Sequence, residues 1–131
     1  MSVFRNMQTT IKETKSLEKA LINLNYKPCN TGIEQEVRGH GKEKFKADIV
    51  LKKEDTKLKG DIGFKKGKDS TYSLVYDTYV ISMKQAEFLN TVADEYAKVE
   101  VKRKMLLIPG YQLVSDTTIN GETKMRYIQV Q

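Results

Sequence analysis

The sequence predicts an α+β fold in which a single antiparallel-rich sheet carries two helices on one face. Two segments repeat apolar residues at helical spacing, several short segments between them alternate apolar and polar residues, and turn-forming residues separate the segments. A sheet with both helices on one face buries these apolar stripes most simply. Because the 131 residues contain no internal repeat and no linker-like stretch, we expect one domain over residues 1–131.

The first part of the chain predicts a strand followed by a helix. One alternating face of the strand is made of Val3, Met7 and Ile11. Helical spacing then relates Leu17, Ala20, Leu21 and Leu24. Thr10 and Glu13 fit a capping box at the helix start, and Thr14 fits the start equally well. Asn25 suits the left-handed residue that ends a helix, and Pro28 prevents continuation.

The central part predicts four short strands in an antiparallel meander. The first contains Ile33 and Val37. The second has the clearest alternation, with Phe45, Ala47, Ile49 and Leu51 set against Lys44, Lys46, Asp48 and Lys52. The third contains Ile62 and Phe64, and after a turn at residues 67–70 the fourth contains Tyr72, Leu74 and Tyr76. The second strand should therefore present its lysines together on one solvent-exposed face.

The last part predicts a long helix and a hairpin. Ser82 and Gln85 form a capping box. One face of the helix carries Phe88, Leu89, Val92, Ala93, Tyr96 and Val99. Pro109 and Gly110 end the element, and the dipeptide Asn120-Gly121 favours a tight hairpin turn because both of its central positions require positive φ.

Short motifs stand along the chain in a recognisable order. They are residues 17–26 (LEKALINLNY), 47–50 (ADIV), 61–64 (DIGF), 72–77 (YSLVYD), and 88–97 with FL followed by EYA. In this order the chain resembles the hypothetical chloroplast reading frame family numbered thirty-five, an uncharacterised family of cyanobacteria, plastid genomes and some phages. The resemblance implies a domain of unknown function without established catalytic residues. Family members commonly carry tryptophans after two motifs and a histidine after the Tyr-Ala pair, whereas this chain has no tryptophan and has Lys98 and Val99 there.

The net charge of +6 is concentrated in residues 38–68. This segment holds 11 Lys and Arg against five Asp and Glu, which leaves 12 of each sign in the rest of the chain. Localised positive charge attracts anionic partners, so we expect contact with a nucleic acid or an acidic protein. The candidate anion-binding residues are Arg38, Lys44, Lys46, Lys52, Lys65, Lys66 and Lys68. The alternative is that these lysines only keep an exposed sheet face soluble.

Aromatic residues lie among these lysines. They are Phe64, Tyr72, Tyr76 and Tyr79. Aromatic side chains interleaved with basic ones are typical of a surface that stacks single-stranded bases. The period-two alternation of the first three, however, favours side chains that point into the core.

The chain lacks the residue sets of metal, phosphate or nucleophile chemistry, so we expect a non-enzymatic binding module without catalytic residues or a cofactor. His40 is the sole histidine, and Cys29 lies at no recognised ligand spacing from it. Residues 63–68 resemble a phosphate loop, but Asp69 replaces the required Ser or Thr and a strand follows. The alternative is a nucleotide-binding regulator or enzyme that uses this glycine loop and the aspartates Asp48, Asp61 and Asp77.

Composition also predicts the compartment. No stretch approaches the roughly 18 consecutive apolar residues of a membrane span, and the N-terminus lacks the apolar region of a secretory signal. A single cysteine cannot form an internal disulfide and suits a reducing compartment. We expect no membrane partner and a cytoplasmic location. The resemblance extends this to the plastid stroma or a phage-infected host.

Overall fold

The computed structural model describes residues 4–39, 44–56, 60–78 and 85–130. The described helices are α1 (Thr14–Asn23), α2 (Lys53–Thr56) and α3 (Gln85–Leu106). The described strands are β1 (Phe4–Gln8), β2 (Pro28–Cys29), β3 (Gln35–Arg38), β4 (Lys44–Ala47), β5 (Ile49–Leu51), β6 (Ile62–Lys66), β7 (Tyr72–Asp77), β8 (Tyr111–Ile119) and β9 (Glu122–Gln129). The α+β class is confirmed. The chain divides into two compact units, Met1–Tyr96 and Ala97–Gln131, and α3 contributes residues to both.

The main sheet of the first unit has five strands in the order β1-β7-β6-β5-β2, and every neighbouring pair is antiparallel. Strands β3 and β4 form a separate two-stranded sheet, as do β8 and β9. The described strands therefore make three sheets, where the sequence pattern predicted one. The antiparallel character holds in all three.

A large hydrophobic cluster joins helices and the main sheet. Helix α1 contributes Leu17 and Leu21, and α3 contributes Phe88 and Val92. The sheet and the segment before α1 contribute Ile11, Ile49, Leu51, Ile62, Phe64, Tyr72, Leu74 and Tyr76. Burying one such side chain stabilises the fold by about 1.5–3 kcal/mol. The helical apolar stripes predicted from sequence thus lie in the core, whereas the placement of both helices on one face of the sheet stays a prediction.

The second predicted strand of the meander is interrupted at Asp48. Strand β4 pairs with β3, while β5 pairs with β6 in the main sheet. The backbone N–H of Asp48 donates to the carbonyl of Phe64 (3.0 Å), and its carboxylate accepts from the N–H of Lys66 (2.7 Å). These two bonds hold the break in place.

The break reverses the side chains that follow it. Ala47 packs with Val37 and Val50 in a second, smaller cluster, whereas Ile49 belongs to the large one. One extra residue in a strand turns every later side chain to the opposite face. The prediction that Lys52 shares a strand face with the β4 lysines is therefore wrong.

The small β3–β4 sheet packs against the main sheet at Gly63. A Cβ built on Gly63 would lie 2.5 Å from Cγ2 of Val37 and 2.7 Å from Cβ of Ala47. Neither atom belongs to a flexible chain end, so the methyl group can be accommodated only if the two sheets move apart. The absence of a side chain at this position sets the spacing between the sheets.

We expect Gly63→Ala to lower the free energy of unfolding by about 1–3 kcal/mol, because overpacking forces backbone shifts. Urea denaturation followed by circular dichroism measures the change. Gly67→Ala is the control, since its Cβ would come no closer than 3.3 Å, to Oδ1 of Asp69. Equal losses in both variants would show that the tight contact at Gly63 has no special cost.

The ends of α1 and the last hairpin show which turn predictions hold. The capping box of Thr10 and Glu13 does not form. Helix α1 begins at Thr14, its N-cap residue is Glu13, and no side chain forms a capping hydrogen bond there. Instead, the hydroxyl of Tyr96 accepts from the N–H groups of Lys12 (3.3 Å) and Glu13 (3.1 Å). Asn25 has a φ of 68°, which confirms the left-handed end of α1. The turn residues of the β8–β9 hairpin have φ values of 52° and 78°, as Asn-Gly predicts. Ser82, predicted to cap the second helix, lies outside the described residues.

In the second unit, one face of the β8–β9 hairpin meets α3. Asp116 on β8 lies 2.5 Å from Nζ of Lys102 and 4.0 Å from Nζ of Lys98. The half-buried hairpin residues are Leu113, Thr123, Met125 and Tyr127. Val114 sits at a register shift between the strands. The remaining described side chains of β8 and β9 are mostly solvent-exposed.

Candidate functional site

Arg38 lies at the centre of a salt-bridge cluster. Its Nε and Nη2 donate to the two carboxylate oxygens of Asp61 at 2.8 and 2.9 Å. Its Nη1 and Nη2 donate to those of Glu54 at 2.8 and 2.7 Å. The planar guanidinium of Arg38 therefore forms bidentate hydrogen bonds with two carboxylates, an arrangement that the ammonium group of lysine cannot reproduce.

Asp61 is a buried structural carboxylate. Only 1% of it is exposed. Besides the guanidinium, it accepts hydrogen bonds from the backbone N–H of Arg38 (2.8 Å) and of Lys53 (2.9 Å). Four donors therefore satisfy its two oxygens. The carboxylate ties β3, the start of α2 and the start of β6 together.

The same cluster shifts the ionisation of its exposed members. The hydrogen bonds that Arg38 donates to Asp61, and then those to Glu54, raise the pKa of Arg38. The hydrogen bonds from Arg38 lower the pKa of Glu54 to about 2. Arg38 thus remains cationic with its charge neutralised by two carboxylates.

The open cleft beside this cluster is acidic. It has a volume of about 520 Å³ and is lined by Gln35, Glu36, Arg38, Lys52, Glu54, Asp55 and Asp61. Four carboxylates face two cations there, and Asp61 and Glu54 already hold one of those cations. The structure therefore places the candidates Arg38 and Lys52 in surroundings that disfavour an anionic ligand.

The two lysines of β4 are partly balanced by Glu36. Nζ of Lys44 lies 3.4 Å from Oε2 of Glu36, with both side chains more than half exposed. Lys46 is the direct cross-strand partner of Glu36. Side chains directly opposite in an antiparallel pair share a face, so the outer face of this hairpin carries mixed charge.

The lysines around the β6–β7 turn form a positively charged surface. Lys65, Lys66 and Lys68 are all exposed. Nζ of Lys66 lies 5.7 Å from the ring centroid of Tyr72. In the described part of the chain, none of the three lysines forms an ion pair within 4.0 Å.

Lys12 belongs to the same end of the sheet and was missed by sequence reasoning. The carbonyl of Ile11 accepts from the N–H of Tyr72 (2.8 Å), so the segment before α1 runs beside the turn. Hydrogen bonds from Thr71 hold the pKa of Asp69 below its ordinary value, and the charge of exposed Lys12 adds to this effect. We call Lys12, Lys65, Lys66 and Lys68 the turn cluster.

The aromatic residues of this region lie in the core. Phe64, Tyr72 and Tyr76 are 0%, 1% and 5% exposed and belong to the large hydrophobic cluster. Their alternation therefore correctly indicated the core, and these three rings do not form a base-stacking surface. Tyr79 lies outside the described residues.

The three aspartates of the enzyme alternative have different surroundings. Asp61 binds Arg38, and the fully buried Asp77 lies beside Gly39, where a Cβ would meet its Oδ2 at 2.5 Å. Asp48 binds the backbone of Lys66 near the opposite end of β6. Within the described ranges, no three His, Cys, Asp or Glu side chains gather as metal ligands.

The enzyme or nucleotide-binding alternative also used a glycine loop at residues 63–68. In the structure this segment forms part of β6 and of the turn that follows it. Residues 62–66 form β6, and the N–H of Gly67 donates to the carbonyl of Thr71 (2.8 Å) across the turn. A phosphate loop requires free backbone N–H groups leading into a helix, whereas this segment leads into β7. This segment therefore lacks the geometry of a phosphate loop, as Asp69 and the following strand indicated in the sequence.

Cys29 is engaged in a local side-chain contact. Its Sγ lies 3.1 Å from Oε1 of Gln35, and Nε2 of Gln35 donates to the carbonyl of Cys29 (2.8 Å). The half-buried thiol thus links β2 to β3. His40, the sole histidine of the sequence, lies outside the described residues.

Comparisons with known proteins complete the description. No described helix is long and apolar enough to cross a bilayer. No curated protein and no solved structure matches the chain. One family model matches residues 20–126, which extend across both compact units. Since this match covers most of the chain, the chain belongs to the family described as protein of unknown function (DUF1257).

Proposed function

We propose that this protein is a small, basic, non-enzymatic binding module whose turn cluster contacts the phosphate backbone of a nucleic acid. The supporting observation is four exposed lysines near two carboxylates, those of Asp69 and Asp48. A phosphate backbone needs only closely placed positive charges, which release its counterions on binding.

The composition of the turn favours a nucleic acid over an acidic protein. Residues 65–70 (KKGKDS) contain no apolar side chain and are all exposed. Protein–protein interfaces carry an apolar centre inside a polar rim, and this turn offers none. Because Phe64, Tyr72 and Tyr76 are buried, they cannot stack on bases. Contact through lysines alone should therefore depend little on nucleotide sequence.

We expect Lys65→Glu combined with Lys68→Glu to weaken binding to a labelled single-stranded oligonucleotide by about tenfold or more. Two lost phosphate contacts should also reduce the slope of log affinity against log salt by about 1.4. Fluorescence anisotropy at several salt concentrations measures both quantities. The melting temperature should stay nearly constant, because exposed charges contribute little to stability.

Lys15→Glu combined with Lys19→Glu on α1 is the matched control. Both side chains are exposed, and the net charge changes by the same amount. We expect this control to weaken binding by less than about twofold. Equal weakening by both pairs would mean that net charge alone attracts the oligonucleotide. Binding of polyglutamate without binding of the oligonucleotide would replace the nucleic acid with an acidic protein.

The family resemblance adds a proposal about location. We infer that this family is the plastid and cyanobacterial reading-frame family with phage members, and that the chain works in a reducing cytoplasm, plastid stroma or infected host. The ordered motifs and the single cysteine support this inference. Fractionation of the native host with an antibody to the chain tests it, and a membrane-bound pool would contradict it.

A further inference from the structure

The two faces of the β8–β9 hairpin have different surroundings. Asp116, which contacts Lys102 of α3, is the cross-strand partner of Met125. Met125 is half-buried, as are Thr123 and Tyr127 two residues to either side of it. Side chains directly opposite each other share a face, and side chains alternate between faces along a strand. These residues therefore define an inner face of the hairpin, turned to α3.

The strand register gives the composition of the opposite, outer face. On β9 this face carries Lys124 and Arg126, which alternate with the half-buried residues and are exposed. On β8, Thr117 is paired with Lys124, and Ser115 is paired with Arg126. Gln112 occupies the same face beyond the register shift. We call these five exposed residues, Gln112, Ser115, Thr117, Lys124 and Arg126, the ribbon face.

The ribbon face carries positive charge that is not balanced locally. In the part of the chain that the structure describes, neither Lys124 nor Arg126 forms an ion pair within 4.0 Å. Asp116 lies on the inner face, where α3 binds it. Glu122 lies on the outer face but at its turn end, paired with Ile119. The middle of the ribbon face is thus a place that attracts an anionic partner.

The order of residue types along the outer face argues against a protein partner. Interfaces between proteins have an apolar centre inside a polar rim. On this face the centre consists of two cations and two hydroxyl groups. The exposed apolar side chains Ile119 and Ile128 lie on either side of that centre, towards the two ends of the hairpin, and Val114 lies at the register shift. A polar, basic centre is typical of a surface that contacts nucleic acid.

We propose that the ribbon face lies in the major groove of duplex DNA and contacts base edges there. That groove accepts a two-stranded β-ribbon. Arginine and lysine donate to guanine, glutamine pairs with adenine, and serine and threonine bind either. Successive side chains on one face of a strand are about 6.8 Å apart, which matches about two base-pair steps. The inference deepens the proposed function and rests on its nucleic-acid partner, but it uses no residue of the turn cluster.

The residue types distinguish duplex DNA from other nucleic acids. Surfaces that bind single strands stack the bases on aromatic side chains. The ribbon face has no aromatic side chain, because Tyr111 and Tyr127 belong to the inner face by register. The major groove of duplex RNA is too deep and narrow for side chains to reach the bases. Arg126 and its neighbours can therefore reach base edges only in B-form DNA.

A selection experiment with the full chain tests whether bases are recognised. The wild-type protein is used to enrich labelled DNA duplexes from a pool with a randomised centre, and fluorescence anisotropy then measures affinity. We expect the enriched duplex to bind at least about tenfold more tightly than a scrambled duplex of the same composition. Duplex RNA of the enriched sequence should bind no better than the scrambled DNA, because only phosphate contacts remain.

Arg126→Lys separates base contacts from attraction by charge. The substitution keeps the positive charge but removes the bidentate donors that recognise guanine. We expect the preference for the enriched duplex to fall about fivefold or more, while the salt dependence of binding stays unchanged. Arg103→Lys on α3 is the matched control, because it makes the same change at another exposed arginine, and its preference should stay within about twofold of wild type. Melting temperatures of both variants should match wild type.

Three results would overturn the inference. They are a pool without an enriched sequence, equal affinity for duplex RNA and DNA, and equal loss of preference in Arg126→Lys and Arg103→Lys. The variant Lys65→Glu combined with Lys68→Glu separates this inference from the proposed function. If that variant binds all duplexes like wild type while Arg126→Lys loses preference, the turn cluster fails and the ribbon face stands. If it weakens binding and no sequence preference exists, only the ribbon face fails.

Discussion

Val92→Asp is expected to unfold the first unit or leave it barely stable. Val92 is fully buried in the large cluster, beside Phe88, which stacks edge-on against Tyr26 at a centroid distance of 5.7 Å. The side chains of the cluster around Val92 are hydrophobic. Burying an unpaired charge costs several kcal/mol, a large fraction of the about 5–15 kcal/mol that stabilises a small domain.

Thermal unfolding followed by near-ultraviolet circular dichroism of the tyrosines measures this loss. Asn90→Asp is the matched control, because it adds the same charge to an exposed position of α3 two residues away. We expect its melting temperature to match wild type within a few degrees. A Val92→Asp protein with an unchanged melting temperature would show that this face of α3 does not lie in the core.

Arg38→Met should be the most damaging change on the surface of the protein. It leaves the nearly fully buried carboxylate of Asp61 without its two guanidinium donors, while the backbone donors of residues 38 and 53 remain. Removing one partner of a fully buried ion pair costs about 3–5 kcal/mol. Because 37% of the Arg38 side chain is exposed, solvent screening should make the loss smaller than this. Arg38→Lys should recover only part of this loss, because the single ammonium group of lysine cannot form bidentate hydrogen bonds with both carboxylates. Urea denaturation at pH 7 measures both variants.

Glu54→Gln is the control for Arg38→Met, because it removes the exposed partner of the same guanidinium. We expect little change in the melting temperature at pH 7. The pKa of Glu54 is lowered from 4.5 to about 2 in the folded protein, so its ion pair stabilises the fold above pH 4.5. That contribution is lost as the pH falls towards 2. The Gln variant should therefore show a slightly shallower loss of stability over this range. Equal melting temperatures of Arg38→Met and Glu54→Gln would contradict the structural role of Asp61.

The features that sequence predicted correctly all depend on neighbours in the chain. The apolar spacing of Phe88 and Val92 placed one face of α3 in the core, and the alternation of Phe64, Tyr72 and Tyr76 did the same for β6 and β7. Asn25 and the Asn120-Gly121 turn adopt positive φ as their residue types predict. Helical and strand periods are local properties, so a window of a few residues contains the information they require.

The features of the candidate site depend on contacts that no local pattern records. Arg38 is 23 residues from Asp61, and Tyr96 caps a helix more than 80 residues before it. The sequence shows which residues are positively charged, but not which of them a carboxylate neutralises. Only the fold shows that Arg38 is neutralised and that Lys12 joins the turn cluster, because carboxylates and strands distant in the chain are brought beside them.

The sequence by itself determined the α+β class, the apolar faces of the helices, the core aromatics and the tight turns, because local periodicity and backbone preference dictate them. The tertiary structure alone decided the break at Asp48, where two strands join different sheets and all later side chains reverse. It also decided which charges are balanced by a partner, and that the apolar end of α3 stays exposed. Burial and charge pairing arise between distant segments, and their energies exist only once the chain has closed the loops between them.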